Sequence, residues 1–169
     1  QQWQRFAQLQ AHGCLCAVGG YGRAELYPHS DVDVLCLLPA DASEAVQQDW
    51  EAFFSACWDA GLCLASSVRN PEQCVQEAVA DLTVQTTLLE MRHLAGARDL
   101  GLQMQSALRQ QSDAALFWQA KQSEQDLRHA KHGHSAYALE PNCKESPGGL
   151  RDMHLLHWGM RLPTDAAPE

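Results

Sequence analysis

The chain has 169 residues, a formal charge of −9 and a pI near 5.2, with 46% hydrophobic and 20% charged residues. That length suits one ordinary domain with a helical appendage and is enough to bury a real core. The acidic balance argues against a nucleic-acid surface, which needs clustered Lys and Arg, and no apolar run approaches the ~18 residues of a transmembrane helix.

In chain order, Gln2 to His12 reads as the end of a polar helix feeding a first strand. Cys14-Leu15-Cys16-Ala17-Val18 is apolar and breaks on Gly19 and Gly20, the pattern of a buried strand ending in a turn. Lacking Cβ atoms, these glycines let an anion approach the backbone N–H groups, so the turn can cradle a phosphate. Ten residues after Gly20, Ser30-Asp31-Val32-Asp33 opens a second strand, rich in Val and Leu, that runs to Leu38. Alternate residues on a strand share a face, so Asp31 and Asp33 point together. Two such carboxylates repel each other unless a cation neutralises them, and hard oxygen ligands suit Mg²⁺. A Gly-Gly turn alone is usually an ordinary loop and Asp-x-Asp alone usually a strand cap. Joined at this spacing they point to nucleotidyl transfer, with Asp31 and Asp33 as metal ligands and the Gly19-Gly20 turn on a phosphate.

Asp41 with Glu44 reads as a capping box, and Val46, Trp50, Phe53, Phe54, Cys57 and Trp58 recur at helical spacing, giving a core-facing helix that Gly61 stops. Leu62 to Val68 reads as a third strand. Asn70-Pro71-Glu72-Gln73 starts another helix, with Asn70 as cap, Pro71 in the first turn and Gln73 closing the box. The later part of Leu88 to Leu94, bounded by Gly96, reads as a strand. From Asp99 to His132 the pattern is helical and polar, two helices broken near Ser112. Glu140 to Asp152, with two prolines and two glycines, is a loop, and Asp152 sits at the edge of a helix running to Met160. The tail beyond Pro163 has a disordered composition.

The seven cysteines form no Cys-x-x-Cys, and Cys14, Cys16, Cys36 and Cys63 lie in apolar runs, so they read as reduced core residues of a cytoplasmic protein. His129, His132 and His134 match no standard metal motif, and Gly133 interrupts them. The chain opens on Gln1 with no Met and no signal-peptide pattern, as a segment of something longer would.

The wording Gly19-Gly20-Tyr21-Gly22-Arg23-x-Glu25-Leu26-x-Pro28-x-Ser30-Asp31-x-Asp33 resembles the signature of the polymerase β-type nucleotidyltransferase superfamily. With Pro141-Asn142-x-Lys144-Glu145-x-Pro147-Gly148-Gly149-Leu150-Arg151-Asp152, it is similar to the bacterial protein-PII uridylyltransferase/uridylyl-removing family; Trp58-Asp59, Ser67-Val68-Arg69, Asp81-Leu82-Thr83 and Leu89-Glu90-x-Arg92 agree. The resemblance implies an α+β fold, a small mixed β-sheet packed by helices with a C-terminal helical segment. It divides the chain into a catalytic domain over 1–96 and a helical region over 97–169, both part of a longer protein.

The implied reaction is Mg²⁺-dependent transfer of UMP from UTP to a tyrosine of the nitrogen-signalling PII protein, with release of pyrophosphate. Removal of UMP and glutamine sensing would belong to other domains. In the two-metal scheme that the resemblance implies, Asp31 and Asp33 hold both ions, and the Gly19-Gly20 turn with Ser30 holds the β and γ phosphates. A third carboxylate is expected; Cys63 cannot serve, Glu90 is the candidate by its resemblance to the adenylyltransferase wording, and Asp81 is the fallback. Arg23 and Glu25 suit phosphate-side roles or an ion pair. Lys144 and Arg151 would neutralise the triphosphate, or else belong to loop solvation and a salt bridge with Asp152. Two alternatives remain: adenylyl transfer to another protein, and a nucleotide-binding regulatory module without catalysis.

Overall fold

A computed structural model gives the fold and describes residues 2–133 and 142–162. His134 and Pro141, and the tail beyond Pro163, lie outside the described residues. The chain divides into two compact units, 1–111 and 112–169.

The first unit is a mixed α+β assembly in the order α1 (Gln2–His12), β1 (Cys14–Ala17), α2 (Gly19–Gly22), β2 (Val32–Leu37), α3 (Glu44–Asp59), β3 (Leu64–Arg69), α4 (Pro71–Ala80), α5 (Leu82–Leu89), β4 (Arg92–Gly96) and α6 (Arg98–Gln111). The four strands lie in the order β3-β2-β1-β4. β1 runs antiparallel to β2 and β4, while β2 and β3 are parallel. The α6 residues Gly101, Met104 and Leu108 are buried, which places α6 with the sheet instead of with the helices that follow.

Because β1 residues pair directly with β2 residues, side chains of a pair share a face. Cys14 and Cys16 therefore stand with Leu37 and Leu35, and Leu15 with Cys36. One face carries Val34 and Cys36 into a cluster with Leu9, Leu38, Trp50 and Phe54. Trp50 packs edge-on against Phe53 at 5.7 Å. Burial of this aromatic group supplies much of what holds α3 to the sheet.

Several local expectations are corrected by neighbouring geometry. Pro39 to Ala42 close a turn, so Asp41 is outside helix reach and Ser43 caps α3, accepting from the Val46 N–H at 3.4 Å. Trp58 is 54% exposed, because α3 ends one residue later and its indole N–H reaches back to the Leu64 carbonyl at 3.0 Å. Cys63 precedes β3 and is exposed, unlike the buried Cys14, Cys16 and Cys36; all seven cysteines are free thiols. The Gly19-Gly20 turn is the start of the four-residue helix α2. At α4 the Asn70–Gln73 capping box forms in both directions, at 2.8 and 2.9 Å.

The second unit holds α7 (Ala114–Lys131) and α8 (Leu150–Gly159). The chain's break between α6 and α7 falls at Ser112, and Asp113 caps α7 through the Leu116 N–H at 3.0 Å. Lys121 is 5% exposed, lies 4.7 Å from the centre of the Trp158 ring and pairs with Glu124 at 2.7 Å, so its buried charge is neutralised. Among the described residues no helix is long and apolar enough to cross a membrane.

Candidate active site

The sheet topology creates the site. β1 ends at Ala17, which pairs with Val34 near the start of β2 and with Arg92 at the start of β4. The end of the central strand is thus flanked by the beginnings of both neighbours. α2 leaves β1 at this end, Asp31 and Asp33 enter β2 there, and Glu90 and Arg92 enter β4 there.

Backbone approach ties these pieces together. The Val18 N–H donates to the Asp33 carbonyl at 3.1 Å. Gly19 adopts φ +57°, and a Cβ built on it would stand 2.9 Å from Asp33 Oδ2, so the carboxylate rests against the turn. Gly22 is tighter: its Cβ would lie 2.2 Å from the Glu90 carbonyl oxygen. No larger residue fits there without moving β4 or α2.

Charge follows the same geometry. Glu90 is 3% exposed and accepts from Arg23 at 2.5 Å, while Arg23 also donates to Glu25 at 2.8 Å. Burial works against the Arg23 charge, and the two carboxylates more than offset it, raising its pKa. For Asp33, burial comes first and the charges of Asp31 and Glu90 add to it, raising its carboxyl above the usual range. Asp31 is exposed and Asp33 half-buried.

Asp81 is a helix cap: its Oδ1 accepts from the N–H groups of Thr83 at 2.6 Å and Val84 at 3.4 Å. Of the two candidate third acids, Glu90 is the one whose charge acts on Asp33. Among the described residues, however, no three His, Cys, Asp or Glu side chains converge closely enough to hold a metal ion among themselves. Ser30 lies in an exposed turn, where its Oγ accepts from the Tyr27 N–H at 3.0 Å. Between α2 and β2, Ala24 and His29 adopt φ of +61° and +69°, left-handed backbone that is uncommon outside glycine.

Lys144 and Arg151 lie in the second unit. Lys144 is exposed, its N–H held by Asn142 Oδ1 at 3.0 Å, and Arg151 pairs with Glu145 at 3.4 Å. Asp152 takes other partners than those two cations: Arg128, Gln125 at 2.9 Å, His129 at 3.0 Å and the Gly148 N–H at 2.7 Å. His129 is thus an Asp152 partner. Burial pushes the Asp152 carboxyl up, but these hydrogen bonds outweigh it and hold the pKa down to about 2. An acid with a depressed folded pKa contributes stability above its unfolded value and loses it as pH falls through the folded one. About 2 kcal/mol of stability is expected to disappear as pH drops from near 3.8 to about 2. Hydrogen exchange of the α7 and α8 amides across that range checks it; a flat profile, or an unchanged one in Asp152→Asn, would contradict it.

The signals for three features were absent from the linear pattern: the Gly22–Glu90 approach, the reach of Arg23 to Glu90, and the contacts of Arg92. Arg92 donates to the carbonyls of Tyr21 at 2.8 Å and Gly22 at 3.3 Å. All three join residues far apart in sequence.

A family model described as GlnD PII-uridylyltransferase matches residues 116–166. The chain is 53% identical over 157 residues to a protein of Bordetella parapertussis named bifunctional uridylyltransferase/uridylyl-removing enzyme, covering 93% of this chain and 18% of that protein. Proteins of the same name from Cupriavidus metallidurans and Thiobacillus denitrificans are 50% identical over 151 residues and 53% over 145. They cover 89% and 86% of this chain. The chain spans less than a fifth of the length of these relatives.

Proposed function

The chain belongs, over the segment it spans, to the family of bifunctional uridylyltransferase/uridylyl-removing enzymes, a family of nucleotidyltransferases, and from that premise we propose that it carries the site for Mg²⁺-dependent transfer of UMP from UTP to a tyrosine of PII. The observation that supports this most is the convergence of Gly19, Asp33, Arg23 and Glu90 where β1 ends between the starts of β2 and β4.

The donor chemistry fits Mg²⁺. Asp31 and Asp33 offer carboxylate oxygens; burial first, and then the charges of Asp31 and Glu90, raise the Asp33 pKa, and a bound dication would offset both costs to the ionised carboxylate. Mg²⁺ is commonly bound through one or two carboxylates together with substrate phosphates, so the two aspartates suffice as protein ligands. Bound there, the ion would supply charge neutralisation for the triphosphate and lower the pKa of the attacking hydroxyl.

The chain's own residues do the positioning. Gly19 and Gly20 let the triphosphate approach the backbone, and Arg23 holds positive charge at the edge of the turn. Glu90 fixes Arg23 and keeps a third carboxylate beside the pair. The tyrosine hydroxyl of the acceptor must meet the α-phosphorus in line with the departing pyrophosphate, and orienting the two accounts for most of the rate.

The test uses the longer enzyme that carries this segment, with purified PII, Mg²⁺ and labelled UTP or ATP. PII becomes labelled from UTP and not from ATP. Labelling from ATP would replace the reading with adenylyl transfer, and nucleotide binding without any labelling would replace it with a regulatory module.

A further inference from the structure

The helix α2 has four residues, too few to hold itself by its own hydrogen bonds. Its N-terminal end carries Gly19 against the Asp33 carboxylate, and its C-terminal end leads into Arg23, which grips Glu90. Any tilt of this segment would therefore alter both contacts at once. Something outside α2 must fix it.

Arg92 is placed to do so. Its Nε and one terminal nitrogen donate to the carbonyls of Gly22 and Tyr21, the last two residues of α2, at 3.3 and 2.8 Å. A cation at the C-terminal carbonyls is favoured by the helix dipole as well as by the hydrogen bonds. The guanidinium also lies 5.2 Å from the centre of the Tyr21 ring, and Tyr21 packs against the core cluster around Trp50. The planar fork thus holds two carbonyls and one aromatic face together, which a point-charge ammonium cannot reproduce. Glu90 and Arg92 flank Met91 and both seize α2, one through the Arg23 side chain and the other through backbone.

We infer that Arg92 is a positioning residue for nucleotidyl transfer: it clamps α2 to the start of β4 and so sets the phosphate-holding turn relative to Asp33 and Glu90. The inference rests on the transfer reading above. Arg92 is itself exposed and lies outside the core cluster, so its removal should leave the fold largely intact.

In the longer enzyme, Arg92→Ala should raise the KM for UTP about tenfold, the equivalent of one charged hydrogen bond lost from the clamp. The KM for PII and the unfolding midpoint should change little. Arg92→Lys, which keeps the charge and one donor, should fall between wild type and Arg92→Ala. An unchanged KM for UTP in Arg92→Ala, or a lowered unfolding midpoint that accounts for all lost activity, would overturn the clamp while leaving the transfer reading intact. Wild-type enzyme that never labels PII from UTP would overturn the transfer reading first, and the clamp with it.

Discussion

Asp33→Asn is expected to cut uridylyl transfer by about a thousandfold while leaving the fold as stable as before or slightly more so. The two effects have one origin. Asp33 is half-buried against Gly19, with its pKa raised by burial and by the charges of Asp31 and Glu90. An acid whose folded pKa is raised favours the fold below its unfolded pKa, and that contribution is lost as pH rises through the folded value. At neutral pH the ionised Asp33 therefore works against the fold, and an isosteric neutral side chain relieves that while removing a metal ligand. The same sign gives a pH effect: the Mg²⁺ requirement should increase as pH is lowered, beginning at a higher pH than an ordinary aspartate would cause. Turnover numbers and thermal unfolding, measured side by side, check both halves. A variant that is less stable yet within tenfold of wild-type turnover would contradict them.

Glu90→Ala is expected to be costly in a different way. It strips the buried partner from Arg23, a side chain only 12% exposed, and leaves it Glu25, which is 46% exposed. Breaking a buried pair from one side costs about 3 kcal/mol or more, because the remaining charge stays desolvated. Glu90→Gln separates the structural role from the chemical one. It retains volume and an acceptor for Arg23, so most of the stability should return, measured by denaturant titration. If Glu90 also serves as the third carboxylate, turnover in Glu90→Gln stays about a hundredfold below wild type despite the restored fold. Full recovery of turnover with stability would reduce Glu90 to a partner of Arg23.

What could be read from the chain alone was local. Strand, glycines, ten residues and Asp-x-Asp form one stretch, so the placement of Gly19, Asp31 and Asp33 follows from alternation and turn chemistry. Asn70 and Gln73 likewise face each other within a single helical turn. Glu90 was visible only through its resemblance to family wording, because β4 brings it to the site by pairing with β1. The two clamps on α2 depend on the same pairing and leave no periodic trace. Trp58 failed differently: helical spacing put it on the apolar stripe, but the helix end turned its indole toward the Leu64 carbonyl. Asp41 failed because a turn at Pro39 took the residues that a capping box needs.

On the proposed reading, the end of the sheet where β1 stops between β2 and β4 holds the metal and the nucleotide. A crystal structure of the longer enzyme with Mg²⁺ and a non-hydrolysable UTP analogue tests it most directly. The expected result has Mg²⁺ bound by Asp31 and Asp33, the triphosphate along Gly19 and Gly20, and Glu90 beside them. A nucleotide seated elsewhere, or a metal that touches neither aspartate, would contradict it.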